Sequence, residues 1–253
     1  MGSQFRPVYT QLMKRPVLFL DDGGVLNDNA ARAPQWQRLV GEYFAPRLGG
    51  DPAAWAEANR LAMDDLSARG GWEGLMRAAT DQDDYDRRYF AMWLPGMCRR
   101  VGVPAPDAAE CVAMGRLAEN YIIPRVRSAF PGAAETVLSL WNDGYALHMG
   151  SGGASRLLAM YLDVMGIRQC FGRLYGPDLI DAFKIGPEYY ARILSAENLG
   201  PGEALFLDDS PKALGWAREA GAETLLVGRQ DAEGFERIAS LAELPEWLGV
   251  EGS

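Results

Sequence analysis

Histidine and lysine are almost missing from this chain of 253 residues: His148 is the only one of the first, and Lys14, Lys184 and Lys212 are all of the second. One histidine cannot build a His-rich metal site. Its position inside an apolar, strand-like run also argues against a His-based triad. Cysteine is scarce too. Cys98, Cys111 and Cys170 are far apart, form no CxxC and are odd in number. That usage fits a reduced, cytoplasmic protein rather than a disulfide scaffold. There is no run of 18 apolar residues and no signal-peptide pattern, so neither a membrane span nor an export signal is expected. Positive charge is short overall. The 25 Lys and Arg against 34 Asp and Glu leave a net charge of -9, which argues against nucleic acid or an anionic membrane as a partner.

What is present is a globular composition, 48% hydrophobic and 23% charged. Residues 1–16 are polar and read as a loose arm. Val17-Leu18-Phe19-Leu20 then runs straight into Asp21-Asp22-Gly23-Gly24. A short, fully apolar run that ends in a polar turn reads as a buried parallel strand. In open α/β sheets, ligands sit beyond the carboxyl ends of such strands. Ala204-Leu205-Phe206-Leu207 repeats the pattern and ends in Asp208-Asp209-Ser210. Carboxylates gathered at one rim are costly unless they bind a cation or do chemistry.

Between these strands the rhythm changes twice. Over residues 28–128 apolar and aromatic residues recur at helical spacing. Asn27-Asp28-Asn29 reads as loop, and helices are expected from Pro34 to Leu48, after Asp51-Pro52, over Trp72–Ala79 and Tyr85–Val101, and after Pro106-Asp107. Trp36, Trp55, Trp72, Phe90 and Trp93 form an aromatic stripe that reads first as a packed helical core and second as a pocket lining. After Pro131-Gly132, helices and strands alternate. Strands are expected at Tyr145–Gly150, Arg173–Gly176, Ala204–Leu207 and Glu223–Val227, with helices at Ala133–Trp141, Ser155–Met165, Pro187–Leu194 and Lys212–Ala220. This βαβ order predicts a doubly wound parallel sheet.

Four elements then meet at one sheet edge: Asp21, Ser151 at the end of the second strand, Lys184, and Asp208-Asp209. The residue types suit a phosphoryl group. A carboxylate can attack phosphorus. A hard cation takes oxygen ligands, and a hydroxyl and an ammonium neutralise the remaining phosphoryl oxygens.

In this order and spacing the four segments resemble the motifs of the haloacid dehalogenase (HAD) superfamily of hydrolases. Val17–Leu26 is similar to the first motif, Met149–Gly153 to the second, Lys184-Ile185-Gly186-Pro187-Glu188-Tyr189 to the third, and Leu205–Ser210 with Ala217–Gly221 to the fourth. The resemblance implies an α/β, Rossmann-like HAD core over residues 1–27 and 129–253, with an inserted all-α cap domain over 28–128. It implies Asp21 as nucleophile, with Ser151, Gly152 and Lys184 binding phosphate. It further implies Mg2+ held by Asp21, the Gly23 backbone carbonyl, Asp208 and Asp209, and a small phosphorylated metabolite as substrate.

One position departs from the family pattern. Its phosphatases carry an acid/base Asp two residues after the nucleophile, and here that residue is Gly23. Asp22 is adjacent, but neighbours on an extended segment point to opposite sides. General acid–base catalysis contributes roughly 10²–10⁴-fold, so its loss slows esters with poor leaving groups. On this reading Gly23→Asp raises activity on alkyl phosphates more than on aryl ones. Three activities follow from the departure. The first is a phosphatase whose acid comes from the cap, with Asp64, Asp65, Asp83, Asp84 and Asp86 as candidates, or from the substrate. The second is a carbon–halogen hydrolase of the haloacid dehalogenase type, which needs no acid but whose relatives lack the Asp208-Asp209 pair. The third is a weak or inactive phosphate- and Mg2+-binding protein. Phosphonoacetaldehyde hydrolase chemistry would need a cap lysine, and residues 28–128 contain none.

Overall fold

Among the described residues six parallel strands make the sheet: β1 (Val17–Leu20), β2 (Leu147–Gly150), β3 (Phe171–Tyr175), β4 (Ala204–Asp208), β5 (Glu223–Val227) and β6 (Arg237–Ile238), in the order β3-β2-β1-β4-β5-β6. This computed structural model describes residues 15–68, 70–230 and 232–250. The arm expected over residues 1–16 lies outside them except for its last two residues. β1 pairs with β2 on one side and β4 on the other, so the chain reverses its direction of winding at β1. That is the switch point where α/β folds bind ligands. β6 was not expected. At two residues it is too short to show a period, and it exists by pairing with Leu226 and Val227.

Side chains of β1 alternate between two cores, as a strand requires. Leu18 and Leu20 enter one cluster with Leu147, Leu205 and Leu225. Phe19 enters the other and stacks on Phe206 at 4.5 Å.

Between β1 and β2 five helices form a separate layer: α1 (Asn29–Leu48), α2 (Pro52–Ala68), α3 (Gly71–Ala78), α4 (Gln82–Val101) and α5 (Ala108–Ile122). Their starts are written in the sequence. Asp51 accepts from the amides of Ala53 and Ala54, and Asp107 and Glu110 form a capping box. The aromatic stripe is mainly core. Phe44, Trp55, Phe90 and Trp93 are buried together, and Trp72 stacks on Tyr89 at 5.5 Å.

The start of α1 corrects the sequence reading. The helix begins at Asn29, not Pro34, because the Asp28 side chain accepts from Ala30 N at 2.8 Å and caps it. Pro34 is tolerated inside because its missing N–H deprives only the Ala30 carbonyl, and Ala30 is exposed to water. This extension brings five more residues to the end of β1.

The chain leaves and re-enters the sheet region side by side. Asn27 bridges Ala129 in antiparallel fashion, and Asp28 N donates to Ser128 O at 2.7 Å. The Gln35 amide grips the returning segment, accepting from Arg127 N and donating to Arg127 O.

After the layer, α6 (Ala133–Asn142), α7 (Ser155–Met165), α8 (Pro177–Ile180), α9 (Pro187–Glu197), α10 (Pro211–Glu219) and α11 (Leu244–Trp247) follow. α6, α7 and α11 pack on the Leu18 side, and α9 and α10 on the Phe19 side. Among the described residues no helix is long and apolar enough to cross a membrane.

Candidate active site

Register alone brings two of the acids together. Leu20 pairs with Leu207, and Asp21 N donates to Leu207 O at 3.0 Å, so Asp21 and Asp208 leave adjacent strands side by side. Asp209 follows directly. Each of the three offers a carboxylate oxygen, and these atoms lie within 4.8 Å of one another.

Lys184 closes the group. Its Nζ is 2.8 Å from Asp21 Oδ1 and 2.6 Å from Asp208 Oδ2, and it donates to Gly150 O at 3.0 Å. Burial works against the ammonium, but Asp21 and Asp208 outweigh it and hold its pKa well above the usual value. Burial pushes Asp208 upward against the pull of Lys184. An ammonium at 2.6 Å and the Ser210 amide at 2.8 Å keep that carboxylate charged. Burial and then the charge of Asp21 raise Asp209.

Ser151 lies at the end of β2 and is buried. Its amide donates to Tyr175 O at 3.1 Å. The Tyr189 hydroxyl lies 2.9 Å from Ser151 O and 2.7 Å from Tyr175 O, pinning the loop that carries Ser151 and Gly152. Lys184 and Tyr189, five residues apart in one motif, therefore fix two different walls of the site.

The Asp21–Asn27 loop folds on itself. Leu26 N and Asn27 N both donate to Asp22 O, and Gly24 N donates to Asn27 O. The Asp22 side chain accepts from Asn27 Nδ2 at 2.7 Å and pairs with Arg32 Nη2 at 2.8 Å. Burial raises its pKa, and Arg32 opposes that. Arg32 in turn lies over the Tyr161 ring, 4.2 Å from its centroid. A Cβ on Gly23 would meet the Asn29 side chain at 2.9 Å.

A cavity of 540 Å³ covers this group. Asp21, Gly23, Ser151, Gly152, Lys184, Asp208 and Asp209 all line it, so the residues of the four sequence motifs meet at one place. The lining also includes residues that sequence reasoning missed, among them Asn29, Arg32, Tyr161 and Trp216. Asn29 and Arg32 were hidden by the late placement of the α1 start, and Tyr161 and Trp216 read as ordinary helix residues.

The five acids considered as substitute proton donors are engaged elsewhere. Asp64 pairs with Arg60, Asp65 with Arg100, Asp83 with Arg116, Asp84 with Arg87 and Arg88, and Asp86 with Arg116 and Arg156. None lines the cavity. The aromatic stripe does not line it either; Trp36 reaches only as far as Tyr161, donating to its hydroxyl at 2.8 Å. His148 accepts from Arg173 N at 2.8 Å and stacks on Phe19, in the sheet rather than at the rim.

A family model described as haloacid dehalogenase-like hydrolase matches residues 23–221. The chain belongs to that family of hydrolases. Its fold is similar to that of a putative HAD-hydrolase, YfnB from Bacillus subtilis, solved bound to magnesium, at 16% identity and a TM-score of 0.67 over 93% of this chain and 99% of that one. It is also similar to L-2-haloacid dehalogenase from Xanthobacter autotrophicus with chloropropionic acid covalently bound, at 16% identity and a TM-score of 0.63 over 94% and 100%. A HAD phosphatase from Thermococcus onnurineus matches at 18% identity and a TM-score of 0.60 over 93% and 99%. A search of curated proteins finds no significant match.

Proposed function

We propose that this hydrolase releases phosphate from a small phosphomonoester through an aspartyl intermediate on Asp21, with Mg2+ as cofactor. The observation that carries the reading is the meeting of Asp21, Asp208 and Asp209 around Lys184. Three carboxylates and one ammonium leave two negative charges, which one divalent cation balances. All the donors are hard oxygens, as Mg2+ requires.

The metal would be held by Asp21, Asp208, Asp209 and the Gly23 carbonyl, and when bound it would supply positive charge to the transferring phosphoryl group. Asp21 attacks phosphorus through one carboxylate oxygen as the ester bond breaks. Ser151 and Gly152 hold the phosphoryl oxygens, and Lys184, 2.8 Å from its carboxylate, orients Asp21. Water then cleaves the aspartyl phosphate. The helical layer acts as a cap over the cavity and contributes Asn29 and Arg32 to it. A cytoplasmic location belongs to the same reading and is supported by the three cysteines, all buried free thiols.

The test is phosphate release from an aryl phosphate in Mg2+, abolished by EDTA and by Asp21→Asn. The bare Gly23 favours a second reading, hydrolysis of a 2-haloacid, where the leaving halide needs no proton. Halide release in EDTA, with no phosphate released from a broad ester panel, would replace the first reading with the second. Silence in both assays would leave a binding protein.

A further inference from the structure

We infer that Asn29 takes the place of the acid missing at Gly23, and that it confines the enzyme to phosphoryl donors whose leaving group departs as a weakly basic anion: aryl, enol or acyl phosphates rather than alkyl esters. The inference rests on the phosphatase reading above and names its substrate class.

The geometry is direct. A Cβ built on Gly23 lies 2.9 Å from both Asn29 Oδ1 and Nδ2 and 3.3 Å from Cγ. The carboxamide therefore fills the space that a side chain at Gly23 would enter. Gly23 is not among the residues with positive φ, so its backbone would accept any residue. A side chain here would have to push the flexible Asn29 amide aside. By contrast, Gly24 has φ 83° and is glycine for backbone reasons as well.

Nothing in the local fold uses the Asn29 side chain. Asp28 caps α1. Among the described residues the Asn29 amide makes no hydrogen bond or ion pair, and the residue is exposed. It lines the same cavity as Asp21, Ser151 and Lys184. Its backbone is held by the Asp28 cap and by the bond from Asp28 N to Ser128 O.

A carboxamide donates and accepts hydrogen bonds but does not give up a proton near neutral pH. In the first step the Asp21 oxygen–phosphorus bond forms and the phosphorus–leaving oxygen bond breaks. The leaving oxygen keeps the electron pair and departs as an anion, to which Asn29 Nδ2 donates a hydrogen bond. No proton is transferred, so only an intrinsically stable anion leaves quickly. In the second step water forms the new oxygen–phosphorus bond, the Asp21 oxygen–phosphorus bond breaks, and the proton of water passes to the phosphate released.

Gly23→Asp alone would have to displace the Asn29 amide, so the double variant gives the introduced carboxyl that space without competition. The experiment measures kcat and KM of the full chain in Mg2+ on aryl phosphates of graded leaving-group pKa, acetyl phosphate and glycerol phosphate. It compares the native protein with Asn29→Ala, Asn29→Asp and the double variant Gly23→Asp/Asn29→Gly, with thermal melts to establish folding. The native enzyme is expected to slow steeply as the leaving group becomes more basic. Asn29→Ala is expected to lower kcat on the aryl series by about 10²-fold, with KM little changed. Asn29→Asp and the double variant are expected to flatten the leaving-group dependence, to turn over glycerol phosphate and to add an acid-dependent limb to the pH profile. Native turnover with an unchanged Asn29→Ala, or native hydrolysis of glycerol phosphate as fast as of aryl phosphates, overturns the role of Asn29 alone. Absence of phosphate release from every compound overturns the phosphatase reading and this inference with it.

Discussion

The carboxylate of Asp209 rests against the backbone of Gly24: a Cβ at Gly24 would lie 2.0 Å from Asp209 Oδ2 and 2.2 Å from Cγ. Two segments 185 residues apart thus touch at a point where only hydrogen fits. Gly24→Ala is expected to do two things. The left-handed φ of 83° costs an alanine about 1–2 kcal/mol. The displaced Asp209 also weakens metal binding, so half-saturating Mg2+ rises while denaturant midpoints fall. A variant with native Mg2+ dependence would show that Asp209 is not a ligand.

Lys184 answers three acceptors at once: Asp21 Oδ1, Asp208 Oδ2 and Gly150 O. Lys184→Met leaves two carboxylates facing each other. Removing one partner of a buried pair costs roughly 3–5 kcal/mol. We expect a large fall in stability in EDTA, a partial recovery in Mg2+, and a loss of kcat of about 10²-fold or more. Lys184→Arg is expected not to restore activity, because a planar fork cannot replace a compact ammonium among three converging acceptors. Denaturation with and without Mg2+ checks the first part, and steady-state kinetics the second.

Asp22 faces Asn27 and Arg32, so its effect on catalysis should be small and its effect on stability large. Asp22→Asn leaves the Arg32 guanidinium without its counter-charge beside Tyr161. A loss of about 1–3 kcal/mol is expected, while kcat changes far less than for Asp21→Asn. Equal losses of kcat in the two variants would make Asp22 part of the chemistry.

Arg156 of α7 joins the sheet domain to the helical layer, reaching Glu119 at 2.5 Å and Asp86 at 3.5 Å. Burial pushes Glu119 from 4.5 to about 7, against the pull of Arg156. The folded state therefore binds this proton more tightly than the unfolded chain does. Its contribution to stability is complete below about 4.5 and is lost as pH rises through about 7. Over that range the loss is on the order of 3 kcal/mol. Glu119→Gln removes the titration, so urea unfolding from pH 5 to 8 should show the variant gaining on the native protein as pH rises. Parallel profiles would refute the assignment.

Local chemistry made much of this legible in the sequence. β1 and β4 are apolar runs that end in acids, and a buried parallel strand is the one element that suits them. Asp51, Asp107 and Glu110 mark helix starts because a cap is satisfied within three residues. The start of α1 was misread because Pro34 is the stronger punctuation mark in a string, while the Asp28 cap that overrides it is a matter of geometry. β6 has no signal of its own and is defined by its partner.

By itself the sequence picked out Asp21, Ser151, Asp208 and Asp209, which stand where apolar runs end, and Lys184 in the loop before α9, and its resemblance to a known family suggested their roles. Only the tertiary structure decided what stands beside Gly23. Asn29 is six residues away along the chain, and its amide reaches that space because α1 begins early, docks against the returning segment at Ser128 and turns its first residue over the strand end. A neighbour set by how two elements pack leaves no pattern in either of them.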